Sequence, residues 1–456
     1  MKALSSLLIN DITFAVITLI YLVSLSNVSD FTSIQYAILF CIYFSLSLLY
    51  VWHIRRMSPF FLFLTLSNIL FIGGRFWGIL INPELELMEG TFFHNYYIAP
   101  RHMNETLCYV VTFIFLASFG YKTYKSHKRQ NGNTFTIVIK EKPDTFLKHF
   151  FWIVLILAVY GQIQNFIYAF TQGSYLAMYE GQTGDYTAGG SLGKILLYIC
   201  FGLSMAYGTK NTQKRYLILF FIYAIINILI GGRGTLGAVL MFSIWYYSLS
   251  HKINMLKLAA LGIFSLLFLL WIFSFSIRQA DSTIDLGLVD TISYFLYSQG
   301  ISLAVFDQSR DVINYPALAY VQSIIPGSSS IYSLFTGISL APQDVSFASY
   351  LSYCLNPSLF ANGNGLGWTL LGDLYLFGGR CLMGFGFLSY IFGYICSFVE
   401  SKASTSMFCK VLIFSIFMRL MLLPRAGLNE IIPFIVYVYV IHGMFKLFIV
   451  SNNKKI

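Results

Sequence analysis

Apolar stretches of about 20 residues, each closed off by charged ones, recur along this 456-residue chain. In hydrocarbon every backbone N–H and C=O must be satisfied within its own segment. Stretches of that length therefore have one stable fate, the membrane-spanning helix. Composition agrees, because only 11% of the residues are charged and 57% are hydrophobic, whereas a soluble domain is about a quarter charged. Twelve spans are expected, over 12–29, 33–52, 58–82, 104–120, 150–170, 192–209, 216–232, 235–250, 258–277, 376–398, 406–423 and 429–449. The first is charge-free between Asp11 and Asp30, and no small-residue cleavage site follows it, so it reads as a retained helix and not a signal peptide.

Cations follow every even-numbered span. Arg55-Arg56 come after the second, a basic linker after the fourth, Lys210, Lys214 and Arg215 after the sixth, and Lys454-Lys455 close the chain. The positive-inside rule then puts both termini in the cytoplasm. The fold class expected is an all-α polytopic membrane protein of about 12 transmembrane helices. It divides into spans 1–9 (1–277), one large outer loop with short helices (278–375), and spans 10–12 (376–456). Apolar pieces of that loop, "TISYFLYSQGISLAVF" and "ALAYVQSII", read as helices lying at the membrane surface. The net charge of +10 becomes a topology signal and not a nucleic-acid signal. The seven cysteines fall mostly in apolar stretches, which indicates no disulfide framework.

On this topology the inner side holds 20 cations, of which 4 are arginine, and the outer side holds 9, of which 8 are arginine. Topology alone does not select arginine over lysine. Phosphate does, because the planar guanidinium binds it bidentately. Arg75, Arg233, Arg278, Arg310, Arg380, Arg419 and Arg425 are the candidate diphosphate ligands, with Lys194 the one outer lysine. Three of them follow paired glycines, as Gly73-Gly74-Arg75, Gly231-Gly232-Arg233 and Gly378-Gly379-Arg380. Each triplet reads as a bend that brings backbone N–H groups and a guanidinium to an anion. Helix packing by small residues accounts for the glycines alone.

The long loop region also collects carboxylates. Asp281, Asp311 and Asp373 are the candidate general bases, and "DQSRD" (Asp307–Asp311) sets two acids on one helical face beside Arg310. His94 and His102 are the outward-facing histidines, read as sugar contacts. There is no Asp-x-Asp pair, no Cys/His cluster of metal-ligand spacing, and no Walker sequence. Neither a metal nor a cofactor is called for. An outer-face group transfer needs a donor already activated in the membrane, as a polyprenyl-diphosphate-linked sugar is.

Three features resemble one family, the bacterial O-antigen polymerases (Wzy). They are the plan of spans with one large loop in the C-terminal half, the "GGRG" element at Gly231–Gly234, and "GLGWTLLGDLYLFGG" over Gly365–Gly379. In the last, Asp373 and Tyr375 match the family's acidic-x-Tyr-x-Asn-Phe-Gly pattern, while the Asn is absent and Phe377-Gly378 arrive one residue early. The resemblance implies a glycosyltransferase at the periplasmic side of the bacterial inner membrane. Undecaprenyl-diphosphate-linked oligosaccharide would be both donor and acceptor, and a polysaccharide chain-length regulator a further partner. Two rival readings are an O-antigen ligase, which passes glycan to lipid A core, and a lipid-linked oligosaccharide flippase or transporter. A transporter sets its ionisable groups near the midplane, whereas these arginines crowd the outer span ends.

Overall fold

Each of the twelve apolar stretches carries a helix in the computed structural model, which describes residues 11–27, 31–54, 60–91, 93–127, 144–172, 187–230, 232–251, 254–273, 275 and 287–453. In chain order these are α1 (Asp11–Asn27), α2 (Ser33–Ile54), the bent pair α3 (Phe60–Phe71) and α4 (Gly74–Ile81), α5 (Pro100–His127), α6 (Asp144–Gln172), α7 (Thr187–Tyr207), α8 (Lys210–Ile230), α9 (Arg233–Ser250) and α10 (Met255–Phe273). Eight short helices follow, α11 (Leu288–Gln299), α12 (Ser302–Asp311), α13 (Ala317–Ile324), α14 (Ser328–Thr336), α15 (Pro342–Val345), α16 (Phe347–Leu355), α17 (Pro357–Ala361) and α18 (Leu370–Phe377). Long helices return with α19 (Leu382–Lys402), α20 (Met407–Leu422) and α21 (Leu428–Asn453). The strands among the described residues are two short ones, Glu89–Gly90 paired antiparallel with Tyr96–Tyr97.

The expected count of about 12 spans is not met by length and apolarity alone. Among the described residues eight helices qualify, or nine when α3 and α4, bent by 57°, count as one span. α1 and the apolar part of α7 are short. α9 carries an arginine, glycines, serines and tyrosines, and it buries Phe242 and Trp245 completely. A helix enclosed by others does not need an apolar outer face. Lipid-facing helices look different. α10 buries little of itself and exposes Leu256, Phe264 and Trp271, while α5 and α20 are largely enclosed.

Small residues let the central helices touch. α5 packs along α19, where a Cβ at Gly393 would collide with the Ala117 carbonyl oxygen. Ion pairs also form at the ends. Lys122 of α5 meets Asp11 of α1, which also accepts from the Tyr50 hydroxyl at 2.8 Å.

The surface-helix expectation for 291–306 does not hold at its second half. α12 is buried from Ser302 to Ser309, because it packs against both α5 and α18. α13 does expose apolar residues, including Ile324 and Ile325.

Candidate active site

The reversal between α20 and α21 builds the first candidate site. Pro424 stops α20, a 3-10 turn (Leu423–Arg425) turns the chain, and α21 runs back. Residues equally far from the turn then face one another. Arg419 Nη1 donates to Glu430 Oε2 at 2.8 Å and to the Glu430 carbonyl at 3.2 Å. The guanidinium lies 4.4 Å from the Phe434 ring centroid and 5.5 Å from that of Tyr198. Its Nε is buried and has no hydrogen-bond partner.

This pair borders a cavity of about 480 Å3, whose other polar walls are Lys194 of α7, Gln322 of α13, Ser346 and Asn429. Two cations face one carboxylate across a partly aromatic wall. Such a surface concentrates anions, and Arg419 still has a donor to give. Lys194 was set aside in the sequence as the lone outer lysine, and its placement beside Arg419 has no local sequence signal. Glu430 did have one, its spacing from Arg419 across the Pro424 turn.

A second cluster joins three of the expected site residues. His102 Nε2 of α5 stands 3.4 Å from Asp307 Oδ1 and 3.3 Å from Asp311 Oδ1 of α12. Arg310 donates to Glu105 Oε2 at 2.9 Å, bonds Thr106, and lies 5.2 Å from the Tyr109 ring. Thr106 also donates to Asp307. Burial lifts the Asp307 carboxyl to about 6, against the opposing pull of Thr106, His102 and Arg310. His102, Asp307 and Asp311 are the one group among the described residues with the reach to hold a metal ion. Arg310 and Thr106 already serve the same Asp307 oxygen, so a cation there would compete with a guanidinium. Arg310 spends its Nη1 and Nη2 on Thr106 and Glu105, while its Nε, like those of Arg75 and Arg419, has no hydrogen-bond partner.

Asp373 sits alone and is 1% exposed. Its Oδ1 accepts from Trp368 Nε1 at 2.8 Å and its Oδ2 from the Leu428 amide. Burial raises this carboxyl to about 7. Oδ2 ties α18 to the start of α21, while Oδ1 ties it to Trp368, just ahead of α18.

The remaining expected residues are scattered. Arg75 is 3% exposed, donates to the Leu87 carbonyl at 3.3 Å, and lies under the rings of Tyr96 and Tyr297. Arg380 donates to the Val312 carbonyl at 3.0 Å. Arg425 is exposed on the 3-10 turn and donates to Gln299 Oε1 at 3.3 Å. His94 is half-buried, which pushes its pKa down, and its Nδ1 has no partner. Arg233 opens α9, but its side chain, like all of Arg278 and Asp281, lies outside the described residues.

The Gly-Gly-Arg triplets are three different structures. At the first, a Cβ on Gly74 would collide with the Leu296 carbonyl of α11, so glycine there permits close packing at the bend between α3 and α4. At the second, Gly232 has φ −82°, so the α8–α9 reversal does not use a left-handed residue there. At the third, both Gly379 (φ 70°) and Arg380 (φ 59°) are left-handed and turn α18 into α19.

Compared with known proteins, the chain matches the family model described as O-antigen polysaccharide polymerase Wzy over residues 10–455. Neither a curated protein nor a solved structure matches it.

Proposed function

The chain belongs to the O-antigen polysaccharide polymerase Wzy family, and from that premise we propose that it joins glycans carried on undecaprenyl diphosphate at the periplasmic face of the inner membrane. The Arg419–Lys194 cavity carries this reading. A hydroxyl of the acceptor glycan attacks the anomeric carbon of the donor. The bond from that carbon to the diphosphate oxygen breaks, and the electron pair leaves on the diphosphate. Arg419 and Lys194 hold the departing charge, which is electrostatic stabilisation of the transition state. Glu430, the carboxylate lining the same cavity, takes the hydroxyl proton. When the diphosphate draws Arg419 away, Glu430 loses its partner and becomes more basic.

Two carriers must be accommodated. Arg425 and an apolar cavity of about 350 Å3 suit the second. That cavity runs between α2, α3, α9 and α10 and ends at Phe295 and Leu296 of α11, the helix whose Gln299 holds Arg425. The product is a longer glycan on one carrier, and a chain-length regulator is the partner expected to limit it.

The test uses purified protein in vesicles with polyprenyl-diphosphate-linked repeat units, and polymer is resolved on gels. Arg419→Ala is expected to slow polymerisation about 30-fold, the equivalent of about 2 kcal/mol for one charged hydrogen-bond partner. Arg419→Lys should rescue poorly, since an ammonium lacks the guanidinium's two parallel donors. Glu430→Gln should lower turnover more than substrate affinity. Wild-type rates from both Arg419→Ala and Lys194→Ala would refute the cavity as the site.

A further inference from the structure

Residues 312–343 contain no charged side chain, although they belong to the loop helices and not to a span. Within them, α14 buries none of its residues. Ile331, Leu334 and Phe335 fall on one helical stripe and are 54, 82 and 85% exposed, and Ile338, just past the Gly337 cap, is 53% exposed. Ser329, Ser333 and Thr336 take the opposite side, and the two serines line an open cleft whose edge Leu334 and Ile338 also reach. α13 repeats the pattern on a smaller scale, exposing Val321, Ile324 and Ile325.

Two observations say what covers this stripe. First, it continues onto the lipid-facing surface of a span. α13 packs against α21, which exposes Val436, Tyr439 and Val440, and Tyr437 of α21 lines the same cavity as Gly327 at the start of α14. Second, an uncharged serine face opposite a wholly apolar face offers a protein partner no electrostatic register. A hydrocarbon boundary asks for none. The helix is bounded by two left-handed glycines, Gly327 (φ 78°) and Gly337 (φ 69°), which set it off from α13 and from the segment that follows.

We propose that α14 is an interfacial helix whose Ile331–Leu334–Phe335 face is seated in the bilayer leaflet on the side where the Arg419 cavity opens. It forms the bilayer-side rim of that cavity, because Pro326 and Gly327 are part of the cavity wall. A lipid head group then reaches Arg419 and Lys194 from within the leaflet, without leaving the membrane. Insertion of the helix is independent of the function proposed above, whereas its role as an entrance rim rests on it.

Spin labels read insertion without reading activity. Nitroxides are attached to Cys at 329, 333, 334 and 335, one at a time, on a chain whose seven cysteines have been replaced, in phosphatidylglycerol–phosphatidylethanolamine vesicles. At 334 and 335, relaxation by oxygen should exceed relaxation by a water-soluble nickel chelate, with the reverse at 329 and 333. Water-like relaxation at all four positions overturns the proposal. So does protection from both reagents at 334 and 335, which would mean protein covers the stripe. If the cysteine-free chain does not fold, a benzophenone amino acid at 335 in the otherwise unaltered chain answers the same question. A phospholipid adduct supports insertion, and a crosslink to protein overturns it.

Discussion

Replacing Asp373 by Asn decides whether this carboxyl is a strut or a base. Both its oxygens accept N–H bonds. An amide accepts at one position only, so Asp373→Asn strands a buried donor, at a cost of about 1–3 kcal/mol. Titration works the other way. The folded carboxyl sits at about 7, and the unfolded one at about 3.9. Between those values the folded protein holds a proton that the unfolded chain releases. The stability this group gives is therefore complete below about pH 4 and lost as pH rises through 7. Three pH units at 1.36 kcal/mol each set a ceiling of about 4 kcal/mol on that loss. Asn does not titrate. The variant should be less stable than the parent at pH 4.5 and more stable at pH 8, with the two curves crossing between. Unfolding midpoints of the detergent-solubilised proteins measure this, and polymer formed per folded molecule is measured alongside. A stability difference of the same sign and size at both pH values would refute the titration argument. Loss of polymerisation by folded Asp373→Asn would make Asp373 a proton acceptor after all.

Arg310→Ala should cost about 2 kcal/mol in an unfolding experiment, because it removes the guanidinium 4.0 Å from buried Asp307 and leaves that carboxyl only Thr106 and His102, while Glu105 keeps access to water. Adding Asp307→Asn should restore part of that loss, and no restoration would mean the charge was never the cost. At the α18–α19 turn, Arg380→Gly should be more stable than Arg380→Ala by about 1 kcal/mol, since both lose the Val312 bond but only alanine keeps the left-handed strain at φ 59°. Equal midpoints for the two would show that the turn stores no strain.

The helices were legible because burial in hydrocarbon writes itself as long apolar runs, and every such run carries a helix, although eight or nine of those described are long and apolar enough to cross. The loop was less so. "TISYFLYSQGISLAVF" has the composition of a surface helix, yet α12 is enclosed by α5 and α18, and a local sequence does not name the distant elements that will cover it. The arginine excess marked Arg419, Arg75 and Arg310 alike and said nothing of their different surroundings. The latter two differ only in what lies across from them, Tyr297 for one and Glu105 for the other, both far away in the chain. The motif at Asp373 gave no sign of the Leu428 amide and Trp368 indole that hold its two oxygens, since Leu428 lies far away in the chain.

The crossing at Gly74 sets an order of events during synthesis. α4 and Arg75 are made early, but part of their cover comes from Leu296 and Tyr297 of α11 and from Gly300 just after it. At ribosomal rates of about 5–20 residues per second, that cover emerges roughly 225 residues and some tens of seconds later. Throughout that interval a guanidinium destined for the interior stands at the end of a broken helix, with the Leu87 carbonyl and the Tyr96 ring as its nearby company. A nascent chain halted between α10 and α11 is therefore the natural substrate for membrane quality control, and the long loop is the segment whose arrival ends that vulnerability.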